Sequence, residues 1–408
     1  MKNINLYFFY FSRNILWSIF LIIKEEKTFP KLIFLRDISR YNLENKKRTK
    51  SILDNILIKI FFIKQLNILD KDCSQIENIE SISKKMKDIY ENNISFDNKS
   101  LFLSRIKKIT KDMENKLLNA YMNGLEFAKN NQNSTNYIFN GRKAPVFMFF
   151  EGLSNYAEVK RIEITFKNNK RHVYASPGYL WAISNINDIE KKYGFLKDFS
   201  FYQKRLKGLD YDGKKFVKNI NQTPKYKDLD ISLFLATPYE FIGFSHTSTE
   251  YINILKNSFR EIIRFKNLGY KCLIRNHPNF KECHFLDKKL YSKWFAILRN
   301  KGVLISDYNQ SDSSYDIAKE TKINITVGST IGGELSFMGK KSYDINLKSQ
   351  SMVFKIIKPY DFEEILKDLD DIDSKKFKSE FELNNFLRFS GYNLGWGYEI
   401  PYLLQIGL

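Results

Sequence analysis

Cysteine is scarce in this sequence: three in 408 residues, Cys73, Cys272 and Cys283. They are too few and too scattered for a disulfide framework or a zinc site, and they suit a reducing compartment. Cys283 and His284 are adjacent but have no second ligand pair nearby, so they read as ordinary core or surface residues. Histidine is almost as rare, at four. A spanning helix needs about 20 unbroken apolar residues. The apolar stretch "MKNINLYFFYFSRNILWSIFLIIKEEK" is interrupted by Ser12, Arg13 and Asn14, and it lacks the small-residue cleavage site of a signal peptide. What remains is a strand at 4–10, a helix at 15–26 and a strand at 31–38, the β-α-β opening of a parallel sheet. No internal repeat, low-complexity segment or nucleic-acid-binding motif occurs, so no nucleic-acid partner is expected.

What is present is ample apolar material, 43% of the chain, in a length that predicts two domains. The 66 basic and 46 acidic residues leave a net charge of +20. Because the lysines are scattered among asparagine and isoleucine, this reads as general surface charge, suited to an anionic membrane surface or a phosphate-bearing substrate. Residues 47–130 read as a helical insertion: "SILDNILIKIFFIKQL", a polar segment, then an amphipathic run over 101–130. The polar spacer "NNQNSTN" precedes a short strand at 137–139, a helix from Pro145, and strands at 161–166 and 171–178. "NQTPKYKDLD" (221–230) is polar and aperiodic and marks a domain boundary. The expected domains are 1–222, 223–375 and a helical segment at 376–408 that packs back on the first.

Beyond the boundary the alternation is regular. Strands at 231–236, 270–275, 302–305, 323–327 and 342–346 alternate with helices at 249–267, 285–299, 313–320 and 331–338, predicting a parallel, doubly wound sheet. In such sheets ligands bind beyond the carboxyl ends of the strands. Three polar clusters fall there: "TPYEFIGFSH" (237–246), "RNHPN" (275–279) and "GST" (328–330). Gly328 allows close backbone approach, Ser329 or Thr330 caps the next helix, and free amides at a helix start attract an anion, phosphate being the natural one. Glu334 stands one position beyond a capping box and could accept from sugar hydroxyls. His277 precedes Pro278, which cannot continue a strand, and Arg275 two residues earlier shares its side. With Asn276 between them, the pair suits a diphosphate, Arg275 through its fork and His277 as donor or proton shuttle.

The words "NGR" (140–142), "FYQKRLKG" (201–208), "RNHPN" and "VGSTIGGELSFMGKK" occur in an order that resembles the GT-B glycosyltransferases and related proteins of bacterial capsule and surface-polysaccharide loci. The resemblance implies an α/β fold of two Rossmann-like domains facing a cleft, the first holding the acceptor and the second a nucleotide-activated sugar. His277-Pro278 and Ser329-Thr330 look like the cytidine-nucleotide motifs of bacterial sialyl- and Kdo-transferases. Those sialyltransferases carry an acidic pair before glycine, where this chain has "DYDG" (210–213), with a tyrosine inserted. UDP-N-acetylglucosamine 2-epimerases share the twin-Rossmann plan and a Ser-Gly-Gly-Glu-Glu helix start that "GSTIGGE" loosely echoes. Teichoic-acid glycerol-phosphate polymerases use strand-end histidines, and a non-catalytic scaffold of a polysaccharide locus is the remaining alternative.

A transferase must stabilise the leaving nucleotide and deprotonate an acceptor hydroxyl. Arg275, Asn276, His277, Gly328, Ser329, Thr330 and Glu334 answer the first need. Besides His277, Glu151, Glu240 and His246 are the candidates for the second. Asn140, Arg142 and Arg205 would line the acceptor side. No Asp-x-Asp stands at a strand end, so neither a metal nor a cofactor beyond the nucleotide-sugar co-substrate is expected. The expected acceptor is a glycan or lipid-linked glycan, and the expected location is the cytoplasm, resting peripherally on the anionic inner leaflet.

Overall fold

A computed structural model of the protein describes residues 3–8, 13–35, 64–66, 79–100, 109–139, 144–167, 170–176, 225–238, 248–310, 312–329, 331–332, 335, 340–345, 358–370 and 397–405. The chain forms two compact units: one of residues 1–93, 108–180 and 395–408, the other of 94–107 and 181–394.

The first unit holds a seven-stranded sheet. Strands β1 (Asn3–Phe8), β2 (Lys31–Leu35), β3 (Lys64–Leu66), β4 (Ser134–Phe139), β5 (Glu158–Lys167), β6 (Lys170–Ser176) and β13 (Tyr398–Glu399) lie in the order β13-β6-β5-β4-β1-β2-β3. The run from β3 to β5 is parallel, and β6 and β13 close the edge antiparallel. Helix α1 (Arg13–Glu26) buries Ile15, Trp17, Leu21 and Ile22 against Ile4, Leu6 and Phe8 of β1. Helix α2 (Ile79–Asn98) precedes two further helices. On the other sheet face Tyr7 packs its ring on Phe127 of α3 (Lys111–Lys129) and on Phe149 and Phe150 of α4 (Ala144–Leu153).

Three features of this unit depart from the expected pattern, and the first is that Tyr398–Glu399, expected in a helical segment, form strand β13. Residues 64–66, expected in a helix, form β3, with Lys64 paired to Ile33; a short apolar run rich in isoleucine and phenylalanine suits either element, and pairing with β2 decides. The spacer before 137 also belongs to the sheet: β4 starts at Ser134, and Ser134, Thr135 and Asn136 are buried. Burial is tolerated because the polar groups satisfy one another. Asn136 Oδ1 accepts from Asn5 Nδ2 at 3.0 Å and from the Tyr7 hydroxyl at 3.2 Å, while Asn136 Nδ2 donates to the Glu158 carbonyl at 3.1 Å.

On the α1 face, Tyr137 donates to Glu26, and Lys160 Nζ reaches Glu26 Oε1 at 2.9 Å and the Tyr137 hydroxyl at 3.1 Å. At the sheet edge Tyr398 pairs with Val173, and Trp17 Nε1 donates to the Leu404 carbonyl at 2.9 Å. Gly397 makes the turn into β13 at φ +106°, and a Cβ there would stand 2.4 Å from the Val173 carbonyl oxygen, so only glycine fits.

The second unit is a wholly parallel six-stranded sheet of β7 (Leu229–Phe234), β8 (Cys272–Arg275), β9 (Leu304–Ser306), β10 (Thr321–Thr326), β11 (Lys341–Asp344) and β12 (Lys358–Pro359), in the order β12-β11-β10-β7-β8-β9. Helices α5 (Ser248–Asn267) and α6 (Phe285–Asn300) cover one face, packing Tyr251, Leu255, Phe259, Tyr291 and Phe295 on Ile231, Ile274 and Ile323. Helix α8 (Phe362–Asp370) joins them through Ile365 and Leu369. Helix α7 (Ser314–Lys319) and Leu335 cover the opposite face over Leu229, Phe234 and Leu273.

Numbered from its own first strand, this sheet runs 3-2-1-4-5-6, the doubly wound order whose switch point lies between the first and fourth strands, here β7 and β10. Cys272 and Cys283 are buried core residues, and burial pushes the Cys272 thiol up to about 12. The molecule is thus two α/β units, each on a parallel or mixed sheet, the double-Rossmann architecture of GT-B-like proteins. No helix of the described residues is long and apolar enough to cross a membrane.

Candidate functional site

Hydrogen bonding beyond the ladders ties the carboxyl ends of the second sheet into one row. Leu235 N donates to the Arg275 carbonyl (3.0 Å), Val327 N to Phe234 (3.1 Å), Asn276 N to Ser306 (2.9 Å) and Ile345 N to Thr326 (3.0 Å). Across β8, β7, β10 and β11 the residues presented at or just beyond these ends are therefore His277, Thr237, Gly328 with Ser329, and Asp344. The switch point runs through the middle of the row.

His277 is an acceptor at one position. It is the N-cap of a 3-10 turn (Pro278–Glu282), with Nδ1 accepting from Asn279 N at 3.1 Å and Thr237 Oγ1 3.5 Å away. An Nδ1 that accepts from an amide carries no proton, so the neutral ring is protonated on Nε2. His284 does the same for α6, accepting from Leu286 N at 3.3 Å. Sequence reasoning missed both caps, since Ser, Thr, Asp and Asn are the usual caps; Pro278, at the first position of a helical turn, was the available signal.

Arg275 and Asn276 are placed differently from expectation. Arg275 is 4% exposed, and its guanidinium donates to Ser306 Oγ (3.0 Å), the Asp307 carbonyl (2.8 Å) and the Asp312 carbonyl (2.7 Å). It grips the loop after β9 instead of opening to the crevice beside His277. Burial lowers its pKa, with the charges of Asp312 and Asp307 opposing. Asn276, fully buried, donates through Nδ2 to Asp307 Oδ1 (2.9 Å) and accepts the His277 amide on Oδ1 (2.9 Å). The Asp307 carboxylate can only accept, which fixes the amide's orientation. Arg275 and Asn276 therefore form the mount on which His277 stands. Asp307 and Asp312 lie some thirty residues downstream of it, and no local pattern marked them.

At the end of β10, Gly328 takes φ 61° and its amide donates to Asp344 Oδ1 at 3.2 Å. Ser329 is 8% exposed, and Gly332 N donates to its carbonyl at 3.2 Å. Thr330 and Glu334 lie outside the described residues, as do Glu240 and His246 of the loop after β7 and Asn140, Arg142 and Arg205. Glu151 is described. It sits near the end of α4, where its carboxylate pairs with Lys85 and lies 4.0 Å from Arg161. Among the described residues no three His, Cys, Asp or Glu side chains gather closely enough to hold a metal ion.

The fold and this edge define a class: a double-Rossmann α/β protein with polar side chains and a tight glycine turn at a topological switch point, where such sheets take their ligands. No protein-family model matches the chain, and no curated protein matches it. Among solved structures, S. aureus MnaA in its UDP co-structure is similar at 10% identity over 98% of this chain and 93% of that one, with a TM-score of 0.30. The beta Kdo 2,7 transferase of Thermosulfurimonas dismutans KpsC is similar at 13% identity over 66% and 90%, TM-score 0.29. The N-terminal domain of Candida albicans trehalose-6-phosphate phosphatase is similar at 8% over 96% and 92%, TM-score 0.34. At these values the likenesses add nothing to what the two sheets show by themselves.

Proposed function

We propose that the second unit binds a nucleotide-activated sugar at the carboxyl edge of its sheet and that the protein is an enzyme acting on that sugar. The observation that carries this is the convergence of Thr237, His277, Gly328 and Ser329 on adjoining strand ends at the switch point. In this role His277 would donate from Nε2 to a phosphate oxygen, and the turn after β10 would cradle the phosphate with the Ser329 and Thr330 hydroxyls. The chain words shared with polysaccharide-locus proteins support a sugar nucleotide over other phosphorylated ligands.

Two reactions fit such a donor. Transfer to a glycan or lipid-linked acceptor, with the first unit holding the acceptor, needs a base for the acceptor hydroxyl. The described candidate, Glu151, is held by Lys85 and Arg161. Epimerisation of the bound sugar needs no acceptor at all, and on this ground we set 2-epimerisation of a UDP-sugar at least level with transfer. Peripheral attachment to an anionic inner leaflet belongs to the same proposal; if it is electrostatic, a moderate salt wash releases the protein from membranes.

A thermal-shift screen of CMP, CDP, UDP and GDP tests the binding. Ligand at about 100 times its Kd adds roughly 2.7 kcal/mol of stability. A shift with a uridine or cytidine nucleotide is expected, and no shift with any of the four overturns the proposal. Incubation with UDP-N-acetylglucosamine, followed by NMR, then separates the reactions: inversion at C2 without an acceptor marks an epimerase, and an inert donor until an acceptor glycan is added marks a transferase.

A further inference from the structure

Asp344 closes β11 and is buried, 3% exposed. Its Oδ1 accepts the Gly328 amide at 3.2 Å, across the β10–β11 boundary where Thr326 and Asp344 are register partners. A left-handed glycine needs its buried amide satisfied to hold its conformation, and a carboxylate is the strongest neutral-pH acceptor available to it. The acceptor is itself anchored on both sides: Ile345 N donates to the Thr326 carbonyl, and Tyr360 N to the Asp344 carbonyl, each at 3.0 Å. Thus the Gly328 amide, which a glycine-rich phosphate turn would ordinarily aim at its anion, is directed into the sheet.

We propose that Asp344 is a positioning residue for the Gly328–Ser329 turn. It holds the turn in the shape that presents Ser329 to a phosphate. This rests on the nucleotide-sugar reading of the preceding subsection. Two consequences separate Asp344 from an ordinary buried residue. The acceptor atom supports the turn, so losing it weakens binding. The acceptor is an oxygen that asparagine also carries, so replacing the carboxylate by an amide leaves the turn, and with it binding, in place.

Isothermal titration of UDP and of CMP into the full-length wild type, Asp344→Ala and Asp344→Asn makes the test, with hydrogen exchange of peptides covering 326–332 in each protein. Asp344→Ala is expected to bind about tenfold more weakly, the effect of one lost charge-assisted hydrogen bond. Its exchange should quicken at the turn and not in β7 or β8. Asp344→Asn, which keeps Oδ1, is expected to match wild type in affinity and to keep the turn protected. Asp344→Ala binding as tightly as wild type, or Asp344→Asn binding as weakly as Asp344→Ala, overturns the role of Asp344 and leaves the nucleotide reading standing. A wild type that binds neither nucleotide overturns that reading, and with it the ligand assigned to this turn. If Asp344→Ala does not fold, Asp344→Asn decides alone: weaker binding or a deprotected turn overturns the proposal, and equal or tighter binding with a protected turn supports it.

Discussion

Among the described residues of the first unit, one set of polar side chains lies within the body of the sheet and bonds there: Asn5 with Asn136 and Tyr7 on one face, Tyr137 with Glu26 and Lys160 on the other. In the second, besides the buried pair Ser232 and Thr321 between β7 and β10 at 2.8 Å, a set of polar groups lies at the carboxyl edge and binds loops: Arg275 and Asn276 to the segment after β9, His277 to its own 3-10 turn, Asp344 to Gly328. The two sheets share the 3-2-1-4-5 strand order. A polar group in mid-sheet holds strands together, whereas one at the strand ends holds the loop that follows.

The largest expected effect breaks the edge. Arg275→Met leaves two loop carbonyls and the Ser306 hydroxyl without their donor, and should cost about 3 to 5 kcal/mol, as removal of one partner from a buried charged network does. Hydrogen exchange should quicken in β7–β9 and remain unchanged in β1 and β4; equal change in both units would show that the edge network is not local.

Next in size is a mid-sheet change, Lys160→Met, expected to cost about 1 to 2 kcal/mol. Burial alone would lower the Lys160 pKa, but the bond to Glu26 and the charges of Glu158 and Glu26 outweigh it and leave the pKa raised. A raised pKa contributes stability that is complete below the unfolded value, about 10.4, and is lost as pH rises through the folded value. Urea melts should therefore show a constant gap between wild type and variant from neutral pH to about 10, closing above it. A gap already closing at pH 8 would contradict the pairing.

His277→Asn sharpens the comparison within the edge itself. Asparagine caps as well as any residue, so stability should stay within about 0.5 kcal/mol of wild type, while nucleotide-induced stabilisation disappears. His277→Ala should lose the cap as well, about 1 kcal/mol. If the asparagine variant binds nucleotide normally, His277 serves only as a cap.

Smallest is Thr326→Val. The Thr326 hydroxyl is buried without a hydrogen-bond partner, and removing such a group is neutral or slightly stabilising, by no more than about 1 kcal/mol. A clear loss of stability in a thermal melt would show that this hydroxyl is satisfied in solution.

Much of the second unit was legible because its strands are short apolar runs separated by amphipathic helices, as at "KCLIR" and "INITV", and both periods show in the sequence. The first unit hid more. β4 begins in Ser134-Thr135-Asn136, polar residues that look like a spacer until Asn5 is known to lie opposite Asn136. That pairing joins positions 131 residues apart, which no local pattern reveals. At the site, the position of His277 after a strand could be read from Pro278. The inward turn of Arg275 could not, because its partners lie in the loop 306–312 and their geometry exists only once β8 and β9 are adjacent.

The pairing of β13 with β6 also has a consequence in time. Tyr398 leaves the ribosome some 220 residues after β6 is complete, and at a synthesis rate of about 5 to 20 residues per second that is a delay of roughly 10 to 45 s. Through that interval β6 is an open sheet edge, able to template pairing with another chain. All strands of the second unit are made before β13, so the unit begun first is finished last. The left-handed glycine at 397 is the hinge on which that late closure turns, and a nascent chain carrying any other residue there would keep its edge exposed to its neighbours on the same messenger.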